Sequence, residues 1–161
     1  PPTGRVILES EQLLAKADCL GRWFVLRLAG IYGPSRHFLL DRLRETDSEI
    51  SGSGEYALNM IHLEDIVGAI CATLSANQCV ESGIFNISDD TPSLKVDVLT
   101  WLAKELDLPP PNFNLSEVSE GRSHQGRRVR HRLISNAKAR ERLDWRPRYP
   151  SYREGYAEIL A

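Results

Sequence analysis

Cysteine, methionine and net charge are all scarce in this 161-residue sequence, which has 3 Cys, 1 Met and a formal charge of −2. Cys19, Cys71 and Cys79 form no CxxC pair and are odd in number. That spacing argues against a zinc site and against a disulfide framework, and it makes a reducing cytoplasm the expected compartment. The 20 Lys and Arg are nearly balanced by 22 Asp and Glu. Such a balance supplies no broad field for capturing nucleic acid or an anionic membrane surface. The chain has no apolar run of about 18 residues, so no transmembrane helix is expected. Nothing near residue 1 resembles the apolar core of a signal peptide. There is no internal repeat, and Pro109-Pro110-Pro111 is the one low-complexity tract.

What is present is ordinary for a globular domain with a real core: 42% hydrophobic and 26% charged residues. The stretch Trp23-Phe24-Val25-Leu26-Arg27-Leu28-Ala29-Gly30-Ile31-Tyr32-Gly33-Pro34 organises the rest. Its β-branched and aromatic residues form a run too short for a helix, which predicts a buried strand. Gly30, Gly33 and Pro34 mark a sharp exit into a loop. In parallel α/β sheets the loop beyond a strand's carboxyl end is where ligands are held.

The remaining segments alternate. Residues 5–18 place Val6, Leu13, Leu14 and Ala17 near one stripe, predicting an amphipathic helix against a sheet. Phe38, Leu39, Leu40 and Leu43 predict a second helix within 36–45, and Ser51-Gly52-Ser53-Gly54 a flexible turn. Tyr56 to Leu63 is expected to be extended. Glu64 or Asp65 then opens a helix that ends near Asn77, because a carboxylate is favourable beside the free N–H groups there. Ile84 to Ser88 predicts a second buried strand, and Ser93–Leu106 a helix with Val96, Leu99, Leu102 and Ala103 inward. The three prolines break it. Residues 112–128 are polar and predict a mobile loop. Ala137 to Leu143, capped by Ser135 or Asn136, and Tyr152 to Leu160 complete the helices. Helices alternating with short apolar strands predict an α/β fold.

Several landmarks, taken in order, resemble one family. Leu26 to Pro34 looks like a strand and loop that follow a catalytic helix. Asn59-Met60-Ile61-His62-Leu63-Glu64-Asp65 is similar to an "HVxD" segment, and Gly83-Ile84-Phe85-Asn86-Ile87 to a "G-x-Y-N-V" strand. Ser135 to Pro147, with Leu143-Asp144-Trp145-Arg146-Pro147, is similar to a "KA…LGWxP" ending, and Tyr149 to Gly155 to the start of a closing helix. Together they resemble the C-terminal part of extended and atypical short-chain dehydrogenase/reductases, the NAD-dependent epimerase/dehydratase family. Within it, the closing helix is most similar to proteins called nucleoside-diphosphate-sugar epimerases. The resemblance spans nearly all of residues 1–161. It implies an α/β fold: the C-terminal part of a Rossmann-type NAD(P)-binding domain with a small substrate-side subdomain.

Two departures accompany the resemblance. A Gly-rich turn between a first strand and helix, which would cradle a pyrophosphate on backbone N–H groups, is absent. The chain opens on Pro1-Pro2-Thr3 without an initiator Met, and residues 4–18 already look like a mid-domain helix, so an N-terminal part of a larger protein is expected to be missing. Active members of the family also carry a Tyr, a Lys four residues later and a Glu four beyond that. If Glu11 marks the Glu, Thr3 and Ile7 fill the Tyr and Lys positions. Neither supplies a phenol or a cation, and a hydroxyl without a neighbouring base is a poor proton carrier. No catalytic residue is therefore assigned.

The candidate ligand residues are these. Leu28, Ala29, Gly30 and Ile31 stand where the family's backbone approaches the nicotinamide of NAD or NADP. Gly30 either permits that approach or serves a turn with positive φ. Tyr32 either faces a ligand or packs with its hydroxyl satisfied. Arg36, beside His37, either clamps a phosphate or carboxylate or starts a solvated helix. Asn59 stands where many family members place an Arg near substrate. Arg122, Arg127, Arg128, Arg130 and Arg132, with His124 and His131, form the one basic cluster. Arg130 or Arg132 is the nearest match to a diphosphate-binding Arg, against a solvated loop. The cluster lacks the interleaved aromatics of a nucleic-acid surface. His62 and Asp65 could form an acid/base pair, but with no nucleophile in view a structural junction is the expected role, with Asp65 a helix-start carboxylate. No metal site is expected.

The expected function is hydride exchange with NAD or NADP as epimerase, dehydratase or reductase. Its substrate would be a nucleotide sugar or a related small molecule, in a cytoplasmic protein that does not engage nucleic acid or membrane. The alternative is a catalytically silent NAD(P)-binding sensor or scaffold. The resemblance also implies a homodimer through helices flanking the active site.

Overall fold

The computed structural model describes residues 2–17 (side chains from residue 4), 21–45, 49–114 and 132–161. In chain order the elements are α1 (Pro2–Ala15), β1 (Phe24–Leu28), β2 (Gly30–Tyr32), α2 (Phe38–Arg44), β3 (Ile50–Ser51) and β4 (Ala57–Leu58). Then come β5 (Met60–His62), α3 (Leu63–Ser75), β6 (Gly83–Ile87), β7 (Ser93–Leu94), α4 (Lys95–Glu105), β8 (Phe113–Asn114), α5 (Ala137–Arg142) and α6 (Tyr152–Leu160).

The strands form pairs. β1 lies parallel to β6 in the register Phe24↔Gly83 to Leu28↔Ile87, and β2 lies parallel to β5 from Gly30↔Met60 to Tyr32↔His62. β3 and β8 are parallel, and β4 and β7 antiparallel. Parallel strands need long crossovers, and helices lie in them here: α2 in the connection from β2 to β5, and α2 and α3 between β1 and β6. The mixed α/β architecture with parallel pairs is the one expected from the sequence.

Two cores flank the run from β1 into β2. One gathers Ile61, Ile66, Ala69, Phe85, Ile87, Ala139, Leu143 and Trp145. The alternation along β6 aims Phe85 and Ile87 into it, each contributing about 1.5–3 kcal/mol by burial. The other core joins Leu39 and Leu40 of α2 to Val98, Leu99 and Leu102 of α4, with Tyr32, Tyr152 and Tyr156. The first core lies on the sheet side and the second between α2 and α4.

Differences from the sequence expectations are local. α4 begins at Lys95, because Ser93 and Leu94 pair with β4 first; its inward residues are Val98, Leu99, Leu102 and Ala103, and Val96 is half-buried. The expected stripe of α1 is not buried among the described residues: Val6 is 59% and Leu13 71% exposed. The Ser51–Gly54 turn is tight. Gly52 and Gly54 hold positive φ, and a Cβ on Gly54 would meet the Phe113 ring at 2.6 Å.

Candidate functional site

The organising strand changes partners in a single step. The Ala29 N–H donates to Ile87 O on β6 at 3.0 Å, and the next N–H, of Gly30, donates to Asn59 O beside β5 at 2.9 Å. β1 and β2 thus diverge toward different neighbours, opening a fork at the carboxyl ends of β1 and β6. In open α/β sheets such a change in strand order is where ligands lie. Gly30 is not at positive φ. It is needed because a Cβ there would sit 3.0 Å from Asn59 O. So close backbone approach, not turn strain, accounts for this glycine.

Leu28 is 41% exposed at this fork, Gly30 is exposed, and Ala29 and Ile31 are half-buried. Alongside lies a cleft of about 530 Å³ between α1 and β1, lined by Val6, Ile7, Ser10, Glu11, Leu14 and Val25 to Leu28. Its floor is tied down by an ion pair that the sequence did not single out. The Arg27 Nε donates to Glu11 Oε1 at 2.9 Å and its terminal amine to Oε2 at 2.5 Å. Glu11 is 8% exposed. The Arg27 guanidinium holds the Glu11 carboxyl below its ordinary pKa, and Glu11 raises that of Arg27. Ile7, one turn before Glu11, is 54% exposed and lines the cleft. No cation stands at its position.

The other expected residues separate. Asn59 is fully engaged: its Nδ2 donates to Arg132 O at 2.8 Å, and its Oδ1 accepts from the Ile134 N–H at 2.7 Å. It therefore straps the segment 132–134 beside the fork, leaving the Arg132 side chain exposed. Arg36 is exposed, its Nε donating to Ile31 O at 3.4 Å. Tyr32 is 2% exposed and stacks on Tyr156 at 4.9 Å, with its hydroxyl 3.4 Å from Ser151 O. Burial raises its pKa strongly. Tyr32 is thus packed into the core with its hydroxyl satisfied. Arg130 lies outside the described residues, as do Arg122, Arg127, Arg128, His124 and His131.

His62 and Asp65 form a junction rather than an acid/base pair. His62 is fully buried between Tyr149, at 4.1 Å, and Tyr32, at 5.2 Å. Its Nδ1 accepts the Glu64 N–H at 3.4 Å and so caps α3. Burial lowers its pKa, keeping the ring neutral. The Asp65 carboxylate, in the first turn of α3, accepts the Arg148 N–H at 2.6 Å and the Tyr149 N–H at 3.2 Å. The Trp145 indole N–H donates to Asp65 O at 3.2 Å. Asp65 therefore pins the chain that follows α5 and leads to α6. Asp89 was not singled out by the sequence. It is 3% exposed, and burial is the main reason its pKa is pushed up to about 8, with Asp90, Asp65 and Glu154 adding to the shift and the Thr91 N–H opposing it.

Among the described residues no group of three or more His, Cys, Asp or Glu could hold a metal ion, and no helix is long and apolar enough to cross a membrane. Cys71 and Cys79 are exposed free thiols.

No family model matches the chain. It is 28% identical over 163 residues to a 3-diazoavenalumate denitrifying reductase from Streptomyces sp., covering 95% of this chain and 51% of that protein. It is 33% identical over 106 residues to protein YeeZ of Escherichia coli K12, covering 65% of this chain and 36% of that one. The chain thus spans about half or less of the length of these relatives. Among solved structures, a functionally unknown conserved protein from Silicibacter pomeroyi superposes with a TM-score of 0.72 at 26% identity, over 85% of this chain and 48% of that one. UDP-glucose 4-epimerase from Thermotoga maritima, solved with UDP-glucose, gives a TM-score of 0.69 at 22% identity, over 95% and 51%. MoeE5, in complex with UDP-glucuronic acid and NAD, gives 0.66 at 23%, over 84% and 45%.

The fold is that of part of a Rossmann-like NAD(P)-binding domain. More narrowly, it is the fold of solved structures that include a UDP-glucose 4-epimerase and a protein assigned to the NAD-dependent epimerase/dehydratases, the family its motifs resemble.

Proposed function

We propose that residues 1–161 are the C-terminal portion of an NAD(P)-dependent epimerase, dehydratase or reductase acting on a nucleotide sugar or a related small substrate. The observation that carries this is the fork at Ala29 and Gly30, where one strand leaves β6 for β5. MoeE5, of similar fold, is bound to NAD and UDP-glucuronic acid, which supports the same cofactor class here. The residues at the fork suit the nicotinamide end of a dinucleotide. Gly30 leaves exposed backbone without a side chain at the fork, its Cβ direction being taken up by the Asn59 carbonyl, and Leu28 offers an exposed apolar flank for a flat ring. Ala29 and Ile31 complete that edge. When bound, the nicotinamide supplies hydride exchange with the substrate.

The chain's own part is positional. The Glu11–Arg27 pair fixes α1 on β1, so that Ile7 and Ser10 face the cleft at a set distance. Asn59 holds residues 132–134 beside the fork, which brings Arg132 to the substrate side; Arg36 approaches from the loop before α2. Either guanidinium could pair with an anionic substrate group.

A second function is favoured by Ile7. An exposed apolar side chain on the cleft wall, where active family members carry a Lys, suits a protein that binds NAD(P) without turning over substrate. Calorimetric titration of the full-length protein with NAD(H) and NADP(H) tests both. Micromolar binding with hydride transfer to a nucleotide sugar or related substrate supports the enzyme, and binding without turnover supports the silent protein. No binding by a folded protein overturns both.

A further inference from the structure

Beyond the fork, a second cleft opens in the α2/α4 part. It holds about 410 Å³ and is lined by Phe38, Leu39 and Arg42 of α2, Ile50 and Ser51 of β3, Tyr56, and Lys95 and Leu99 of α4. Five of these eight side chains are apolar or aromatic, and the polar remainder is Arg42, Ser51 and Lys95. Phe38 is 70% exposed at the rim, at the start of a helix whose next two residues, Leu39 and Leu40, are buried.

The two cations on the wall are not equivalent. Arg42 is committed: it pairs with Glu45 at 2.6 Å and donates to Glu49 O at 3.1 Å. Lys95 is half-buried and has no carboxylate partner among the described residues. Its ammonium rests 5.7 Å from the centre of the Tyr56 ring. A half-desolvated ammonium beside a second cation is costly unless an anion joins it. Burial and the Arg42 charge accordingly lower the Lys95 pKa.

The geometry points to this cleft as the subsite for an aromatic carboxylate, with Lys95 pairing the carboxylate and Phe38 and Tyr56 flanking the ring. This rests on the chain being the substrate-side part of a small-molecule enzyme, and within that reading it favours a small aromatic acid over a nucleotide sugar. A compact ring needs apolar walls and one counter-charge, and both are present. A nucleoside diphosphate carries at least two negative charges. Among the described lining residues, Lys95 is the one cation without a carboxylate partner, which favours the single carboxylate.

The test uses the full-length protein and measures binding of 2-naphthoate, its neutral isostere 2-naphthamide, and UMP. NADPH and NADH binding are measured in parallel. The acid is expected to bind at least about tenfold more tightly than the amide, the value of one well-formed charge contact. Lys95→Met should erase that preference and Lys95→Arg should retain it, with nicotinamide cofactor affinity unchanged in both. Should Lys95→Met not fold, the wild-type preference and the Lys95→Arg result still decide. Equal binding of acid and amide, no binding of either, or UMP binding more tightly than 2-naphthoate each overturns the assignment. Acid binding without cofactor binding leaves this subsite standing and removes the proposed NAD(P)-dependent function.

Discussion

Glu11 and Asp65 are carboxylates at less than a tenth exposure in two regions of this molecule, and they are used differently. Glu11 is paired with one charged side chain on the wall of an open cleft. Asp65 carries no ion pair among the described residues; its oxygens take two backbone N–H groups from a segment more than eighty positions later. The first arrangement fixes a helix against a strand and leaves the neighbouring surface open to a ligand. The second closes a joint, with His62, Tyr32, Tyr149 and Trp145 filling the space around it. Buried charge near a fold's junction is therefore not itself a sign of catalysis. What distinguishes the candidate site is the accessible cleft beside the charge.

If that contrast is right, substitutions in the joint cost far more than those in the cleft. Asp65→Ala leaves two buried N–H groups unanswered and should cost the most, about 3–4 kcal/mol in urea denaturation of the intact protein. Gly155→Ala comes next. Its Cβ would fall 2.1 Å from the Tyr32 hydroxyl oxygen, so the Tyr32–Tyr156 stack must shift, at a cost of about 1–3 kcal/mol measured the same way.

Asp89 sharpens the contrast through pH. Its folded pKa of about 8 lies above the ordinary carboxyl value, so the folded state binds the proton more tightly. The stabilisation is fully present below about pH 4 and is lost as pH rises toward about 8. Asp89→Asn should flatten that part of the stability–pH curve, followed by denaturant unfolding between about pH 4 and about pH 8. An unchanged slope would mean that Asp89 reaches solvent. The smallest effect belongs to the cleft: Ile7→Lys should shift stability by no more than about 0.5 kcal/mol, because the side chain already faces solvent. A large loss there would show that Ile7 is covered in the intact protein.

The contrast also explains what the sequence could show. The runs that became β1, β6, α3 and α6 were legible because their patterns are local: alternation in Gly83–Ile87, and a carboxylate-rich first turn after His62. Ser151, which caps α6 by accepting the Arg153 N–H, follows the same local logic. The partner change at Ala29 was not legible, since nothing near Gly30 announces that its N–H will meet Asn59. The role of Asp65 was hidden for the same reason, because its acceptors serve Arg148 and Tyr149. The α1 stripe predicted burial from periodicity alone, yet Val6 and Leu13 are exposed. Periodicity shows that a face is apolar but not what covers it. Among the site residues, Gly30 was singled out for an approach to a cofactor or a turn with positive φ, whereas the close approach seen is to the Asn59 carbonyl, and Arg27, whose partner is Glu11, was passed over as part of a strand.

One small residue joins parts of the chain that are otherwise far apart. The carbonyl of Asn59 receives Gly30, and its amide holds Arg132 and Ile134 by their backbones. Three bonds on one side chain and its own peptide thus make a single knot between the forking strand and the approach to α5. Truncating Asn59 to Ala would untie the second part and leave the first, so the fork could keep its register while Arg132 loses its address.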